Sequence, residues 1–267
     1  MTMSNAEYHA HKAIGKSGLD LIAKSPAHFR YAPKREATRA MVLGTATHMA
    51  VLEPSRFAAE FVTLPGVDDR RSAIYKQAVA QRGEESVLTG TEADRIAGMA
   101  TAVWSNQYLA GILEAPGQAE VSIFATDPVT GVQVKIRPDW LSADGLCLDL
   151  KTSSDASDGG FGKSVANYRY HVQEAFYRDV FQWFTGEKMR GFEFPVVESE
   201  APHCCTVMRL PDDAVQYGRK LYRENLNTFA RCLESGIWPG LPGDPHVLAL
   251  PGWFVAEIEN SMEIIYD

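Results

Sequence analysis

The stretch VQVKIRPDWLSADGLCLDLK (132–151) decides the fold of this chain. Its two ends have the apolar or alternating pattern typical of strands, and LSADG (141–145) between them has the composition of a turn. A third β-rich run, EVSIFA (120–125), is separated from it by the turn residues DPVTG (127–131). These patterns predict three strands joined by two short turns, an antiparallel meander.

Helical patterns lie on both sides of the meander. We predict a helix capped by Ser17 and further helices over about 39–52, 92–113, 168–184 and 212–235. Strands are also predicted over 192–197 and 204–210, loops over 61–72 and over the Ser-, Asp- and Gly-rich, mobile stretch 152–166, and an extended tail over 238–253. This order predicts an α/β (α+β) fold with a central mixed sheet flanked by helices.

Length and composition are those of a globular protein. The chain has 267 residues, of which 45% are hydrophobic and 22% are charged. One large domain is acceptable at this size, and no shift in composition divides the sequence. We predict a single domain over 1–267, made of a helical N-terminal part, a catalytic sheet core and a C-terminal helix with its tail, over 1–115, 116–210 and 211–267.

Charge and apolar patterns exclude several classes of protein. The 26 basic and 34 acidic residues give a net charge of −8, which argues against a general nucleic-acid coat protein. An enzyme that grips nucleic acid in one local basic groove remains compatible with it. The apolar runs are too short to span a bilayer, the N-terminus lacks the apolar core of a secretory signal, and four cysteines are too few for a disulfide scaffold. We therefore predict a cytoplasmic protein.

Two carboxylates and a lysine stand out near the third predicted strand. Asp149 and Lys151 point the same way because residues i and i+2 share a face of a strand. Asp139 ends the preceding strand, so two short adjacent strands can bring the carboxylates together. They would repel unless a cation lay between them, and Mg²⁺ prefers such oxygen ligands. On spacing alone, an Asp149–Lys151 ion pair and a turn-capping role for Asp139 are equally good explanations.

Four other residues are weaker candidates when each is taken alone. Glu120 starts the first meander strand, where a glutamate is usually solvated. His48 lies in an apolar helix, one turn after Gly44, and a lone histidine there is more often a core residue than a ligand. Gln173 and Tyr177 are one turn apart on a helix, which also fits a polar helix flank. The sequence has no Cys-x-x-Cys pair, phosphate-binding loop, dinucleotide fingerprint or nucleophile elbow.

The order of these residues resembles the PD-(D/E)xK nuclease superfamily. Longer stretches are similar to the C-terminal nuclease domain of exonuclease VIII (RecE) and its phage relatives, over most of residues 7–240. The stretches are YHAH (8–11), SGL (17–19), SPAHF (25–29), LGTATHMAVLEP (43–54), AEVSIFATDPVTGVQVKIRPDWL (119–141), NYRYHVQEAFYRD (167–179) and WPG (238–240). The resemblance implies a restriction-endonuclease-like core.

The resemblance also implies a role for each matching residue. Mg²⁺, or Mn²⁺ as a substitute, would be bound by His48, Asp139, Asp149 and the main-chain carbonyl of Leu150, with Glu120 supporting the metal. Lys151 would orient or deprotonate the attacking water and stabilise charge on the phosphate. Gln173 and Tyr177 would position Lys151 or the DNA backbone.

The activity implied by the resemblance is Mg²⁺-dependent exonucleolytic digestion of double-stranded DNA, processive and 5′→3′, leaving a 3′ overhang for recombination. The implied partners are duplex DNA ends, a single-strand annealing recombinase and further copies of the chain in a ring, with a tetramer favoured. Candidate DNA contacts are Arg30, Lys34, Arg35, Arg39, Arg137, Lys163 and Arg169, and the loop 152–166 is expected to order on DNA. The alternatives are an endonuclease or single-strand nuclease on the same core, and a catalytically silent DNA-binding module.

Overall fold

The computed structural model describes residues 3–33, 37–245 and 247–266. The helices are α1 (Asn5–Ala10), α2 (Lys16–Lys24), α3 (Pro26–Tyr31), α4 (Arg39–Leu52), α5 (Pro54–Glu60), α6 (Ala73–Arg82), α7 (Gly90–Ser105), α8 (Gln107–Glu114), α9 (Asp158–Tyr168), α10 (Tyr170–Thr185), α11 (Asp212–Ser235) and α12 (Gly252–Tyr266). The strands are β1 (Val62–Leu64), β2 (Val87–Thr89), β3 (Gly117–Ala119), β4 (Ile123–Thr126), β5 (Gln133–Ile136), β6 (Trp140–Ser142), β7 (Leu146–Leu148), β8 (Lys151–Ser153), β9 (Gly191–Glu198) and β10 (Cys205–Met208).

The central sheet is mixed, as predicted, and is built around β9. Among the described residues its order is β10-β9-β7-β6-β3, and β8 also pairs with β9. Both β7 and β8 run parallel to β9, one after the other along the same edge, whereas β10 is antiparallel to β9. The break between β7 and β8 therefore falls at Asp149 and Leu150.

Both faces of the central sheet are covered by helices. Cys147 on β7 packs into a core that contains Phe176 of α10, while Leu146 and Leu148 on the opposite face pack into a second core with Met99 of α7. Such burial on both faces explains why this strand is apolar throughout instead of alternating. The α/β architecture with flanking helices is thereby confirmed.

The predicted meander is wrong in its pairing. β4 and β5 form a separate antiparallel hairpin, and the third predicted strand pairs with β6 and β9 instead. Pro138 has no N–H to donate, so the ladder of the hairpin stops before it. A strand that is apolar on both faces also finds cover only in the centre of the molecule.

The predicted mobile loop 152–166 is wrong over most of its length. Residues 151–153 form β8, and α9 begins at Asp158, where the Ser157 hydroxyl accepts a hydrogen bond from the Gly160 N–H at 3.2 Å. Phe161 is 2% exposed and anchors this helix to the core. A capping serine and one buried aromatic ring thus outweigh the glycines of this stretch.

Other boundaries differ in smaller ways. The helix predicted to be capped by Ser17 begins at Lys16 instead, and the predicted loop 61–72 contains β1. The helix predicted over 92–113 divides at Asn106, whose side chain accepts hydrogen bonds from the first turn of α8. The predicted extended tail ends at α12, whose first residue is Gly252.

The other long helices match the predictions closely. α4 and α11 have the predicted bounds, and α10 covers nearly all of 168–184. In the ranges that the structure describes, no helix is both long and apolar enough to cross a membrane. The single domain over 1–267 stays a prediction.

Candidate active site

Asp139 lies at the centre of the candidate site, opposite the break between β7 and β8. The main-chain N–H of Leu150 donates to Asp139 Oδ2 at 2.7 Å, and His48 Nδ1 lies 3.3 Å from the same oxygen. The other carboxylate oxygen, Oδ1, has no hydrogen bond to the described residues. The break in the strand therefore frees a main-chain donor that orients Asp139 and leaves Oδ1 open to a ligand.

Glu120 reaches Asp139 through the edge of the central sheet. The pairing of β3 with β6 opposes Ala119 to Trp140, and the N–H of Glu120 donates to the main-chain oxygen of Asp139 at 3.0 Å. Glu120 has a φ of 52°, a left-handed conformation that is uncommon for a residue with a side chain. Burial and the charge of Asp139 raise the pKa of Glu120 to about 7.

His48 completes a set of three candidate metal ligands. One ligand atom each from His48, Glu120 and Asp139 lie within 4.8 Å of one another. Burial alone would lower the pKa of His48, but the charge and the hydrogen bond of Asp139 raise it. Gly44, one turn earlier, does not explain this placement, because a Cβ there would meet nothing within 4 Å.

Asp149, Lys151 and Gln173 form a second network beside the first. Gln173 Nε2 donates to Asp149 Oδ1 at 2.6 Å, and Lys151 Nζ donates to Gln173 Oε1 at 3.3 Å. Lys151 also forms an ion pair with Asp149 Oδ2, a buried oxygen that otherwise has no hydrogen-bond partner. Gln173 therefore contacts both members of the ion pair, as a residue that positions Lys151 must.

The charges of this network favour a protonated Lys151. Burial would lower the pKa of Lys151, but the carboxylates of Asp149 and Asp139 outweigh it and raise that pKa. Burial raises the pKa of Asp149, while Lys151 opposes that rise. An ammonium with a raised pKa is suited to stabilising negative charge and poorly suited to accepting a proton.

Tyr177 and Asp149 both make hydrogen bonds or ion pairs within the protein. The Tyr177 hydroxyl donates to the main-chain oxygen of Arg137 at 3.3 Å and so contacts the chain just before Asp139, not Lys151. Among the described residues, the group of three candidate ligands includes Glu120 and leaves out Asp149, whose place in the ligand set stays a prediction. Both oxygens of Asp149 face Lys151 or Gln173 instead.

Several predicted DNA contacts are used within the protein. Arg137 is buried, donates to Ser122 Oγ at 2.7 Å and lies over the Tyr8 ring. It also lines the cavity that leads to the site, and its contact with DNA stays a prediction. Arg39 donates to a buried carboxylate, that of Glu92, at 2.8 Å, and is likewise part of an internal cluster.

The other predicted contacts fall into three groups. Arg169 pairs with Asp20 at 3.0 Å. Arg30 and Lys163 are exposed, whereas Lys34 and Arg35 lie outside the described residues.

A basic groove leads to the site, and its N-terminal lysines were not among the predicted DNA contacts. Its cavity has a volume of about 570 Å³ and is lined by Lys12, Lys16, Lys135, Glu120, Gln173 and Tyr177, among others. The N-terminal segment forms one wall, held there by Lys135, whose ammonium donates to His11 O at 3.0 Å. The basic run HKAIGK (11–16) was the available signal, but it does not show which face of the sheet the segment crosses.

The residues present fit a hard divalent cation. Imidazole nitrogen and carboxylate oxygen are ordinary ligands of such ions, and three of them converge here. Burial and the charge of Asp139 raise the pKa of Glu120, and a cation at this cluster would stabilise its charged form. A smaller cavity of about 190 Å³ borders His48 and Glu120 and gives room for a ligand at this cluster.

Comparison with known proteins gives one family and one informative structure. A family model described as "PDDEXK-like domain of unknown function (DUF3799)" matches residues 12–249. No curated protein shows a significant match to the sequence. The fold is similar to the crystal structure of a "Putative exonuclease" from Eubacterium rectale, with a TM-score of 0.65 and 14% identity, over 94% of this chain and 96% of that chain. A structure named SSO0001 reaches a TM-score of only 0.30 at 13% identity, over 78% of this chain and 84% of that one, too low to support an argument.

Proposed function

The chain belongs to the family of PDDEXK-like domains called DUF3799, which confirms the superfamily expected from its sequence, and from this premise we propose that it is a divalent-metal-dependent nuclease. The observation that carries the proposal is the joint presence of two clusters at one break in the central sheet. His48, Glu120 and Asp139 supply cation ligands, and Lys151 supplies a positive charge beside them. A groove lined by Lys12, Lys16 and Lys135 opens onto the same place.

Mg²⁺ is the proposed cation, with Mn²⁺ as a substitute. His48, Glu120 and Asp139 would hold it, and Asp149 and the Leu150 carbonyl complete the proposed ligand set. When bound, the cation lowers the pKa of a water molecule and offsets charge on the phosphate.

The protein residues have separate tasks in phosphodiester hydrolysis. The Leu150 N–H and His48 fix the orientation of Asp139 through its Oδ2, and Oδ1 would be the oxygen that binds the cation. Lys151, held charged by Asp149, donates hydrogen bonds to the phosphate oxygens as negative charge develops. Gln173 holds Lys151 and Asp149 in position relative to each other, since it contacts both of them.

The substrate that we propose is the end of a DNA duplex. The similar structure from Eubacterium rectale is described as a "Putative exonuclease", and the motif order resembles that of RecE-type nucleases. The proposal includes 5′→3′ digestion to a 3′ overhang, a homo-oligomeric ring with a tetramer favoured, and a single-strand annealing recombinase as partner. Endonucleolytic or single-strand cleavage on the same core is the alternative activity.

A digestion experiment with two duplexes tests this function. The purified protein is incubated with a 5′-phosphorylated linear duplex and with a covalently closed circle, each in Mg²⁺ and in EDTA. We expect loss of the linear duplex alone and only with Mg²⁺. Cleavage of the circle would establish an endonuclease, and digestion in EDTA would contradict the role of the cation. If neither DNA were cut, the silent binding module would be favoured.

A further inference from the structure

The junction between α9 and α10 carries a column of aromatic rings beside the candidate active site. α9 ends at Tyr168 and α10 begins at Tyr170, and Arg169 between them has a left-handed φ of 57°. This sharp turn stacks the two tyrosine rings, with centroids 5.7 Å apart and planes inclined by 28°. A side-chain-bearing residue in this conformation is uncommon, and here it has the effect of placing two aromatic rings in parallel.

The inner ring of the column is fixed by the core. Tyr170 stacks on Phe161 at 5.7 Å and on Phe194 at 5.9 Å, and both phenylalanines are buried. The Lys151 ammonium lies 4.3 Å from the centroid of the Tyr170 ring. Tyr170 therefore connects the core to the proposed catalytic lysine.

The outer ring of the column is free on its far side. Tyr168 is 61% exposed, and the described residues give its hydroxyl no hydrogen-bond partner. Its ring is only one ring removed from the Lys151 ammonium. A ring that stacks on Tyr170 and is otherwise largely exposed, at this distance from the proposed site of hydrolysis, is a surface for a flat ligand.

The cations around Tyr168 match the charge of a nucleotide. Lys16 donates to the main-chain oxygen of Tyr168 at 2.6 Å, and Arg169 is the next residue in the chain. Asp20 lies between these two cations and pairs with both, at 2.7 Å and 3.0 Å. A ligand with an aromatic base and a phosphate could stack on the ring while its charge faced Lys16 and Lys151.

From this arrangement we infer that Tyr168 is a stacking platform for the base of a nucleotide next to the scissile phosphate. The inference rests on the proposed nuclease function and adds a binding subsite to it. Stacking needs no particular base, because every base has a π-face. The platform therefore holds the strand end beside Lys151 without selecting a sequence.

The test combines variants of the ring with removal of the base. Tyr168→Leu keeps an apolar side chain but removes the π-face, and Tyr168→Trp keeps the π-face. Phe184→Leu is the matched control, because Phe184 is 60% exposed and lies at the other end of α10, roughly 20 Å away by helix geometry. The substrates are 5′-phosphorylated duplexes with all bases present or with an abasic site at one of the first three nucleotides.

We expect Tyr168→Leu to lower kcat/KM on the intact duplex by roughly 5- to 100-fold, the range for loss of one base–aromatic stack. On the duplex whose abasic site falls at the platform, wild type should lose a similar factor and Tyr168→Leu should lose nothing more. Tyr168→Trp and Phe184→Leu should remain near wild type. A 2-aminopurine at that position should be quenched on binding in EDTA by wild type and not by Tyr168→Leu.

Two results would overturn the platform while leaving the nuclease in place. One is wild-type kinetics for Tyr168→Leu, and the other is an equal loss on intact and abasic DNA, which would indicate a structural role. If the wild-type protein neither cut nor bound DNA, the platform and the proposed function would both be rejected.

Discussion

Two clusters of buried charged residues in this protein differ in their balance of positive and negative charge. In the first, Glu92 accepts hydrogen bonds from Arg39 and Arg70 and from the main-chain N–H of Thr89. Burial alone would raise the pKa of Glu92, but these partners lower it to about 2. In the second, burial and the neighbouring Asp139 raise the pKa of Glu120 to about 7.

The difference separates a structural cluster from a candidate site. One carboxylate between two guanidinium groups needs nothing from outside the protein. In the second cluster the carboxylates of Glu120 and Asp139 repel each other, although His48, Lys151 and, for Glu120, Arg137 bring positive charge. Excess buried charge costs stability, and it is kept where an external cation balances it.

The largest expected effect on DNA cleavage is that of a substitution at Asp139, in the centre of the second cluster. Asp139→Asn should reduce Mg²⁺-dependent DNA cleavage by on the order of 10³-fold, because it removes a cation ligand and the partner of His48. Its stability in chemical denaturation should not fall as far as that of a variant of Glu92, since a repulsive charge is lost with it. Asp144→Asn, in the turn before β7, is the control and should retain full activity. Normal cleavage by Asp139→Asn would remove this residue from the site.

A variant of Lys151 should lower the rate of cleavage without lowering the affinity for Mg²⁺. Lys151→Met should slow cleavage by on the order of 10²-fold while the Mg²⁺ concentration for half-maximal activity stays nearly constant. The reason is that the ammonium is not itself a proposed cation ligand, and Gln173 still holds Asp149 in place when the ammonium is removed. Steady-state rates over a Mg²⁺ titration measure both quantities. A parallel loss of metal affinity would mean that Lys151 acts through the ligand set.

A variant of Glu92, in the first cluster, should change stability and not activity. Glu92→Gln should lower the free energy of unfolding by about 1–3 kcal/mol. It weakens the ion pairs with Arg39 and Arg70 and the capping box at the start of α7. kcat per folded molecule should be unchanged. Since the folded-state pKa of Glu92 is below its ordinary value, its contribution is present above about pH 4.5 and is lost as the pH falls toward 2. Urea unfolding at pH 7 and pH 3 measures both effects, and equal stabilities of the two proteins at pH 7 would contradict the comparison.

The smallest expected effect is that of pH on the affinity for Mg²⁺. The cation competes with protons on Glu120, whose pKa is about 7, and on His48, whose pKa is raised above its ordinary value. Apparent Mg²⁺ affinity should therefore increase about 10-fold between pH 6 and pH 8, in the direction of proton loss. Half-saturating Mg²⁺ concentrations across this range provide the measurement, with a circular dichroism spectrum at each pH as control. A flat profile would show that these two groups do not bind the cation.

The sequence predicted the candidate site residues and their order along the chain better than it predicted which strands pair. The Asp139, Asp149 and Lys151 set could be found because its spacing is local, and the residues do converge at one break in the sheet. Glu120 gave only a weak signal, since its contact with Asp139 depends on pairing between strands that are more than twenty residues apart. The internal partners of Arg137 and Arg39 could not be predicted, because the sequence does not show that Arg137 donates to Ser122 and Arg39 to Glu92.

By itself the sequence determined the long helices, the mixed sheet and the identity of the acidic and basic groups, because periodicity and composition act over a few residues. The tertiary structure alone decided that the 123–136 hairpin leaves the central sheet, that α9 replaces a loop, and that the basic N-terminal segment forms one wall of the groove. These outcomes depend on which surfaces can be buried together and on which charges then find partners. Both are properties of distant residues, and no local pattern contains them.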